Sequence, residues 1–308
     1  MTRTRAVGYW AISAAAVLWA VGGAYASRLI DEGASFVELT EARAWITALV
    51  LLVVVARSRP ARSGEGKPPL WLVVAFGLSI AAANLTYYAS LSRLPVAVAI
   101  TIQYTAPGLV VGWTAFAERK GPSRRVAAAL IAAVIGVALL AELPAVLASG
   151  EVRLDGIGLL IAVASAFAFA TYMLTGERVG RSLGAQRSVL QGFLVASALW
   201  VVVQSLRGRP DTLLDERFVP GVIFLAVATT IAPFLLFVWG LGRIRASDAG
   251  IMSTLEPLTA AVIAFVWLDQ SLAGWQLVGA ALVIVGIGLV QAERPATEEM
   301  LTERAAVD

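Results

Sequence analysis

The chain has neither cysteine nor histidine among its 308 residues. Without cysteine there is no disulfide framework, thiolate nucleophile or sulfur-based metal site. Without histidine the commonest general base and metal ligand are gone. Lysine is nearly missing too, because Arg supplies 22 of the 24 cations and only Lys67 and Lys120 remain. Charged residues make up 15% of the chain, and 24 cations against 21 acids leave a net +3. That excess is too small and too dispersed for a nucleic-acid surface. Catalysis needs a nucleophile–base pair or a set of metal ligands. With these residue types lacking, neither assembles, so no enzyme, metal or cofactor is expected.

What the chain does have is apolar surface. Apolar residues make up 59% of it and the mean hydropathy is +0.80, whereas a soluble domain is about 45–50% apolar and about 25% charged. Lipid is therefore the main solvent. Runs long enough to cross a bilayer lie at about 9–28, 38–56, 70–91, 96–116, 125–142, 156–177, 187–206, 218–240, 247–268 and 274–292. The expected fold is an all-α integral membrane protein with ten transmembrane helices. The first run is long, ends at Arg28-Leu29-Ile30-Asp31 and precedes further spans. It reads as a retained helix, not a cleaved leader.

Placing the N-terminus in the cytoplasm leaves 17 Lys and Arg in the inside segments and 7 outside, which favours both termini inside. Trp10, Trp71, Trp113, Trp267 and Trp275 fall near span ends, where an interfacial aromatic belt belongs.

Shifted by 150 residues, the chain matches itself without gaps. Arg3, Arg28, Arg57, Arg59 and Arg93 meet Arg153, Arg178, Arg207, Arg209 and Arg243. Chance predicts about one such arginine coincidence. Pro60, Pro107 and Gly136 meet Pro210, Pro257 and Gly286. A duplication divides the chain into a first five-helix repeat over 1–150, a second over 151–292 and a polar cytoplasmic tail over 293–308. Five crossings is an odd number, so the second copy enters from the opposite face. Inverted repeats of this kind are a plan of secondary transporters, with the substrate near the midplane. The stretch Arg57–Pro69 reads as a solvated loop.

The closing stretch from Leu268-Asp269-Gln270 through Gly274-Trp275-Gln276 to Gly286 resembles the end of an EamA domain of the drug/metabolite transporter superfamily. Leu255-Glu256-Pro257 resembles that family's Glu-Pro in the penultimate helix. Glu118 is similar to the acid that follows its fourth helix, and Asp269 stands where the second copy usually carries Glu. Val17-Leu18-Trp19 and Tyr104-Thr105-Ala106-Pro107 are similar to positions in the YddG-type amino acid exporters, except that Ala106 replaces an aromatic before the proline. The resemblance implies ten helices and an exporter of amino acids, other metabolites or drugs.

Residue chemistry gives its own candidates. Pro107 and Pro257 interrupt corresponding helices, and each removes a donor from the helical ladder. Paired interruptions of this sort point to a transporter's binding site. Pro233, with Thr229 and Thr230, loosens the eighth helix as a hinge. Glu256 lies well inside a span, where a carboxylate is costly. It can carry a proton, recognise an ammonium group, or brace the backbone beside Pro257. Asn84 and Tyr88 share a helical face with Tyr87 adjacent, Gln103 and Tyr104 precede the Pro107 break, and Ser253 shares a face with Glu256.

With Trp19 and Tyr172, these residues form a candidate lining for a small zwitterionic or mildly apolar solute. Interhelical hydrogen bonding is the competing use for the same groups. Arg43, near Glu38 and Glu41, reads as part of an exposed ion network snorkelling to the interface. Glycines 274, 279 and 286 assign helices five and ten to scaffold or homodimer contact. The expected partners are the bilayer and a small solute in the inner membrane of a bacterium. Export or import, of amino acids, drugs or nucleosides, and proton-coupled or passive, all remain open at this level. A non-transporting membrane scaffold is the reading from another class.

Overall fold

A computed structural model describes residues 3–57, 66–150, 155–207, 215–267 and 271–292. Asp269, the 293–308 tail and most of the Arg57–Pro69 loop lie outside the described residues. All regular structure among the described residues is helical. In chain order, α1 is Arg3–Asp31, α2 is Phe36–Arg57 and α3 is Leu70–Leu91. The fourth, α4, has two halves, Val96–Gln103 and Ala106–Glu118, and α5 is Arg124–Leu140. In the second half α6 is Gly156–Leu183, α7 is Ala185–Arg207 and α10 is Gly274–Gln291. Between them α8 is Val219–Ala226, a π-turn over Val227–Ile231, and Ala232–Leu241. Its neighbour α9 is Ala246–Ser253 followed by Leu255–Trp267.

Nine of these ten are long and apolar enough to cross a membrane. The tenth, α5, has 17 residues, the short end of the range that spans hydrocarbon. Apolar side chains face outward along the helices, with Trp10 76%, Phe116 77% and Leu160 72% exposed. A soluble protein would bury most of that surface; lipid does it here. Some ends differ from the sequence expectation. The first helix starts at Arg3, six residues before the apolar run, because Arg5 and Tyr9 find partners inside the protein. The fifth stops at Leu140, and a separate short helix, Leu143–Ala148, follows after Glu142 in a left-handed conformation.

The two halves pack as mirrored partners, and their glycines show it. A methyl on Gly8 would stand 3.0 Å from the side chains of Arg243 and Ile244. A methyl on Gly158, 150 residues on, would stand 2.9 Å from Arg93 and Leu94, which are 150 residues back from that pair. Gly136 likewise presses on Gly279 and Val283, while Gly286 presses on Ala129 and Ala133. Each of these glycine contacts made by one copy is returned by the other in exchanged places, as a pseudo-two-fold axis requires.

The same contacts fix the direction of each copy. The α3–α4 connection lies three crossings from the start of α1, on the opposite face, and it is there that α6 begins beside Arg93. Conversely, the α8–α9 connection meets Gly8 at the start of α1. The second repeat is therefore inverted relative to the first. The largest helix pairs are α5 with α10 and α3 with α6, followed by α1 with α8, α1 with α9 and α2 with α7. Gly136, Gly279 and Gly286 are used inside the chain, where they let α5 and α10 approach backbone to backbone.

Candidate functional site

The two broken helices define the site. In the fourth, helical bonding stops at Tyr104, and Pro107 opens the second half at its first turn. In the ninth, it stops at Thr254, with Pro257 three residues later. The breaks fall at positions 150 residues apart for one physical reason. Proline has no N–H, and its ring clashes with the preceding turn, so the ladder fails within four residues before it. The halves then pack together at Gly250, whose added methyl would stand 3.2 Å from Pro107 Cβ.

Across this crossing the Tyr104 hydroxyl donates to Glu256 Oε2 at 2.8 Å. Tyr104 is buried, and Glu256 is half-buried in the first turn of the second α9 half. A hydrogen bond accepted by a carboxylate is stronger than one between neutral groups, and here it joins the two repeats at the centre of their symmetry. Tyr87 on α3 lies near enough to Glu256 and Tyr104 to interact electrostatically with both. Tyr88 is stacked obliquely on Tyr87, and Phe36 of α2 lies beyond it, with ring centroids 5.7 and 5.3 Å apart. Residues 84–89 of α3 are all half-buried.

An aromatic band leads away from Tyr104. Phe169 touches it, Tyr172 stacks on Phe169 and Phe76, and Phe234 and Phe237 close on Tyr172. Trp19 of α1 completes the band against Phe234 and Phe237, at 5.4 and 5.0 Å. The buried Tyr172 hydroxyl has no hydrogen-bond partner among the described residues.

The candidates thus divide. Tyr87, Tyr88, Tyr104 and Glu256 stand together, and Trp19 and Tyr172 join them through the aromatic band. Asn84 donates to Ile80 O of its own helix at 2.9 Å, and fully buried Ser253 donates to Gly250 O at 2.7 Å. Both satisfy their own backbone. Gln103 is half-buried at the end of the first α4 half.

Pro233 acts on its own helix. Without its N–H, the bond to Thr229 O cannot form, and the ladder widens into a π-turn in which Ala232 N donates five residues back, to Val227 O. Thr229 and Thr230 both donate to Leu225 O, at 2.9 and 2.8 Å. The first copy has Ala83 at the corresponding place, and α3 runs unbroken.

Arg43 overturns its reading as a snorkelling surface residue. Glu38 and Glu41 beside it are buried, at 8% and 0% exposure, and Arg43 is itself half-buried. Its Nε donates to Thr230 Oγ1 in the π-turn of α8 at 2.8 Å, and its charge acts on Glu256. The signal was available in the sequence: an ionisable residue within a span is a functional candidate by default. The proximity of Glu38 and Glu41 in sequence made a local surface network look sufficient.

A second buried polar group lies at the face where α1 starts. Asp248, 1% exposed in the first turn of α9, accepts from the Tyr9 hydroxyl at 3.1 Å. Arg5 and Arg245 pair with it at 3.6 and 3.5 Å. Glu177 of α6 caps the same helix by accepting from Ala246 N at 2.9 Å. Together they tie α1, α6 and α9 at one end. At the symmetry-related end the junction is apolar, with Leu94, Val98, Ala99 and Ala162. Among the described residues it carries a surface ion pair, Arg93 with Asp155 at 2.8 Å, and the Arg93 guanidinium holds that carboxyl below the usual range. A cleft of about 620 Å³ opens elsewhere, between the α6–α7 corner and the end of α8 beside Arg181, Arg187 and Arg243, away from the broken helices.

Comparison with known proteins agrees with this architecture. The model of the EamA-like transporter family matches residues 6–141 and again 156–291. The threonine/homoserine exporter RhtA of Salmonella typhimurium is 28% identical over 237 residues, which cover 77% of this chain and 76% of that protein. Its Escherichia coli K12 counterpart is 27% identical over the same length. Protein PecM of Dickeya dadantii is 24% identical over 251 residues, covering 78% of this chain and 82% of PecM. A solved crystal structure superposes with a TM-score of 0.72 at 20% identity, covering 94% of this chain and 99% of its own, and shares the fold.

Proposed function

The chain belongs to the EamA-like transporter family, and on that premise we propose that it exports small zwitterionic metabolites, amino acids foremost, across a bacterial inner membrane. The repeats 1–150 and 151–292 rock against each other around a site where α4 and α9 cross, with both termini in the cytoplasm. The observation that carries this reading is the hydrogen bond from Tyr104 to Glu256. It supports the reading because it joins a carboxylate within a membrane-spanning run to the other copy, beside the breaks in α4 and α9, and a carboxylate there is costly enough to need a function. Tyr87, Tyr88, Tyr104, Trp19 and Tyr172 line the passage with rings that suit the apolar part of a solute, and Pro107, Pro233 and Pro257 are the flexing points. Similarity to threonine/homoserine exporters supports the substrate class.

The test is efflux from proteoliposomes loaded with a panel of amino acids, amines and nucleosides, with and without a pH gradient. Amino acid efflux by the wild type, lost in Glu256→Gln, is expected. If the wild type moves amines or nucleosides but no amino acid, the substrate class is wrong. If it moves nothing, transport is rejected and the scaffold reading stands.

A further inference from the structure

We propose that Arg43 is the substrate's carboxylate anchor, set opposite Glu256 as its ammonium anchor, so that the site selects zwitterions over amines and over plain carboxylic acids. This deepens the transport reading given above and rests on it.

Arg43 lies in the second turn of α2, a membrane-spanning helix, and is turned inward. Keeping a guanidinium at that depth costs free energy that the fold recovers only if the charge has counter-groups. Thr230 supplies one. Its single hydroxyl proton goes to Leu225 O, so its oxygen is free to accept, and Arg43 Nε takes that position at 2.8 Å. The bond uses the inner edge of the guanidinium fork. The terminal nitrogens Nη1 and Nη2 make no hydrogen bond or ion pair among the described residues, and these are the pair whose geometry matches a carboxylate in two-point contact.

Glu256 is built the same way with the sign reversed. One carboxylate oxygen accepts from the Tyr104 hydroxyl, and the other makes no hydrogen bond or ion pair among the described residues. The two charges interact electrostatically but form no ion pair, so neither cancels the other by contact. Each spends one hydrogen bond on a neutral hydroxyl, with buried Glu38 and Glu41 beside Arg43 on α2, and keeps further bonding capacity for a solute. A molecule carrying both –COO⁻ and –NH3⁺ satisfies both anchors at once; an amine or an acid leaves one desolvated charge without a partner, which is the costly outcome in a low-dielectric site. The π-turn that Pro233 imposes sets where Thr230 stands, so the helix widened in this way is the one that carries the arginine's acceptor.

The experiment compares three solutes in proteoliposomes: the best-transported amino acid of the panel, its primary amide and its deaminated acid. Wild type is expected to favour the amino acid over both analogues by about ten-fold or more, the worth of one charge-assisted hydrogen bond. Arg43→Gln is expected to lower amino acid transport by that factor while sparing the amide, so that the two rates converge. Arg43→Lys keeps the charge without the fork and should raise KM while keeping the preference. Equal wild-type rates for amino acid and amide would overturn the inference without any variant. So would an Arg43→Gln protein that keeps the preference, or one that elutes as a folded monodisperse species yet loses amide and amino acid transport alike. Wild type that moves no amino acid would instead overturn the substrate reading on which the inference rests, and the inference with it.

Discussion

The contact between α5 and α10 offers a test of the fold whose magnitude can be worked from distances. A methyl placed on Gly136 would stand 2.8 Å from the Gly279 carbonyl oxygen and 2.8 Å from Val283 Cγ2. A methyl on Gly286 would stand 2.8 Å from the Ala129 carbonyl oxygen. These obstacles are largely backbone, which cannot turn aside as a side-chain tip can. Ordinary contact distance is recovered only if the helices part by about half an ångström, and a gap of that size forfeits a quarter or more of the dispersion well along the seam.

Overpacking of this kind costs about 1–3 kcal/mol, offset by at most about 1 kcal/mol from the better helix propensity of alanine. Gly136→Ala and Gly286→Ala should therefore each destabilise by about 1–2 kcal/mol, and by similar amounts, because they occupy equivalent places in the two copies. Gly288 has no neighbour within 4 Å of an added methyl, so Gly288→Ala is the control and should be neutral or slightly stabilising. Unfolding of purified protein in mixed micelles, followed by tryptophan fluorescence, measures all three. If Gly136→Ala were as stable as Gly288→Ala, the close approach of α5 and α10 would be wrong, and the mirrored packing with it.

Four further outcomes follow from particular contacts. Tyr104→Phe removes one hydroxyl, at the cost of a bond to a charged acceptor worth about 1.5–3 kcal/mol, and should cut efflux roughly ten-fold while leaving the elution profile unchanged; unaltered efflux would remove this bond from the mechanism. Pro233→Ala restores the missing donor and lets the π-turn relax toward an α-helix, so the variant should be more heat-stable but slower in transport, read from melting and efflux together. The Arg93–Asp155 pair depresses the folded pKa of Asp155, so its contribution is present above the unfolded value of about 3.9 and is lost as pH falls through the lower folded value. Exposure makes that contribution small, and Asp155→Asn should differ from wild type slightly at pH 7, less in high salt, and progressively less as the pH falls through the lowered folded value. Finally, in a cysteine-free chain single cysteines report sidedness: Glu32→Cys should react with an impermeant maleimide on intact cells and Gly121→Cys only after lysis. The reverse pattern would invert the proposed orientation.

Much of this protein follows from its composition and periodicity alone. Lipid requires every backbone polar group to be bonded within its own helix, so apolar runs of spanning length could become little else, and an odd count in each duplicated half forced the inversion. Prolines 107 and 257 announced where helices would break, because a missing N–H is a local property and needs no neighbour to take effect. Glu256 was visible for the same reason: its cost comes from depth, which the run around it specifies.

The partners of these groups were a different matter. Nothing local to Arg43 says which way it turns, and Glu38 and Glu41 gave it an apparent answer five and two residues away. Its actual acceptor, Thr230, is 187 residues distant and offers its oxygen only because Pro233 has widened the helix carrying it. Asn84 and Ser253 had the right chemistry and helical register, yet both donate to their own helices. Short-range sequence rules settle which backbone can exist in a membrane, since that depends on each segment separately. Where a hydroxyl or guanidinium spends its hydrogen bonds depends on which segments are brought side by side, and only the packed helices decide that.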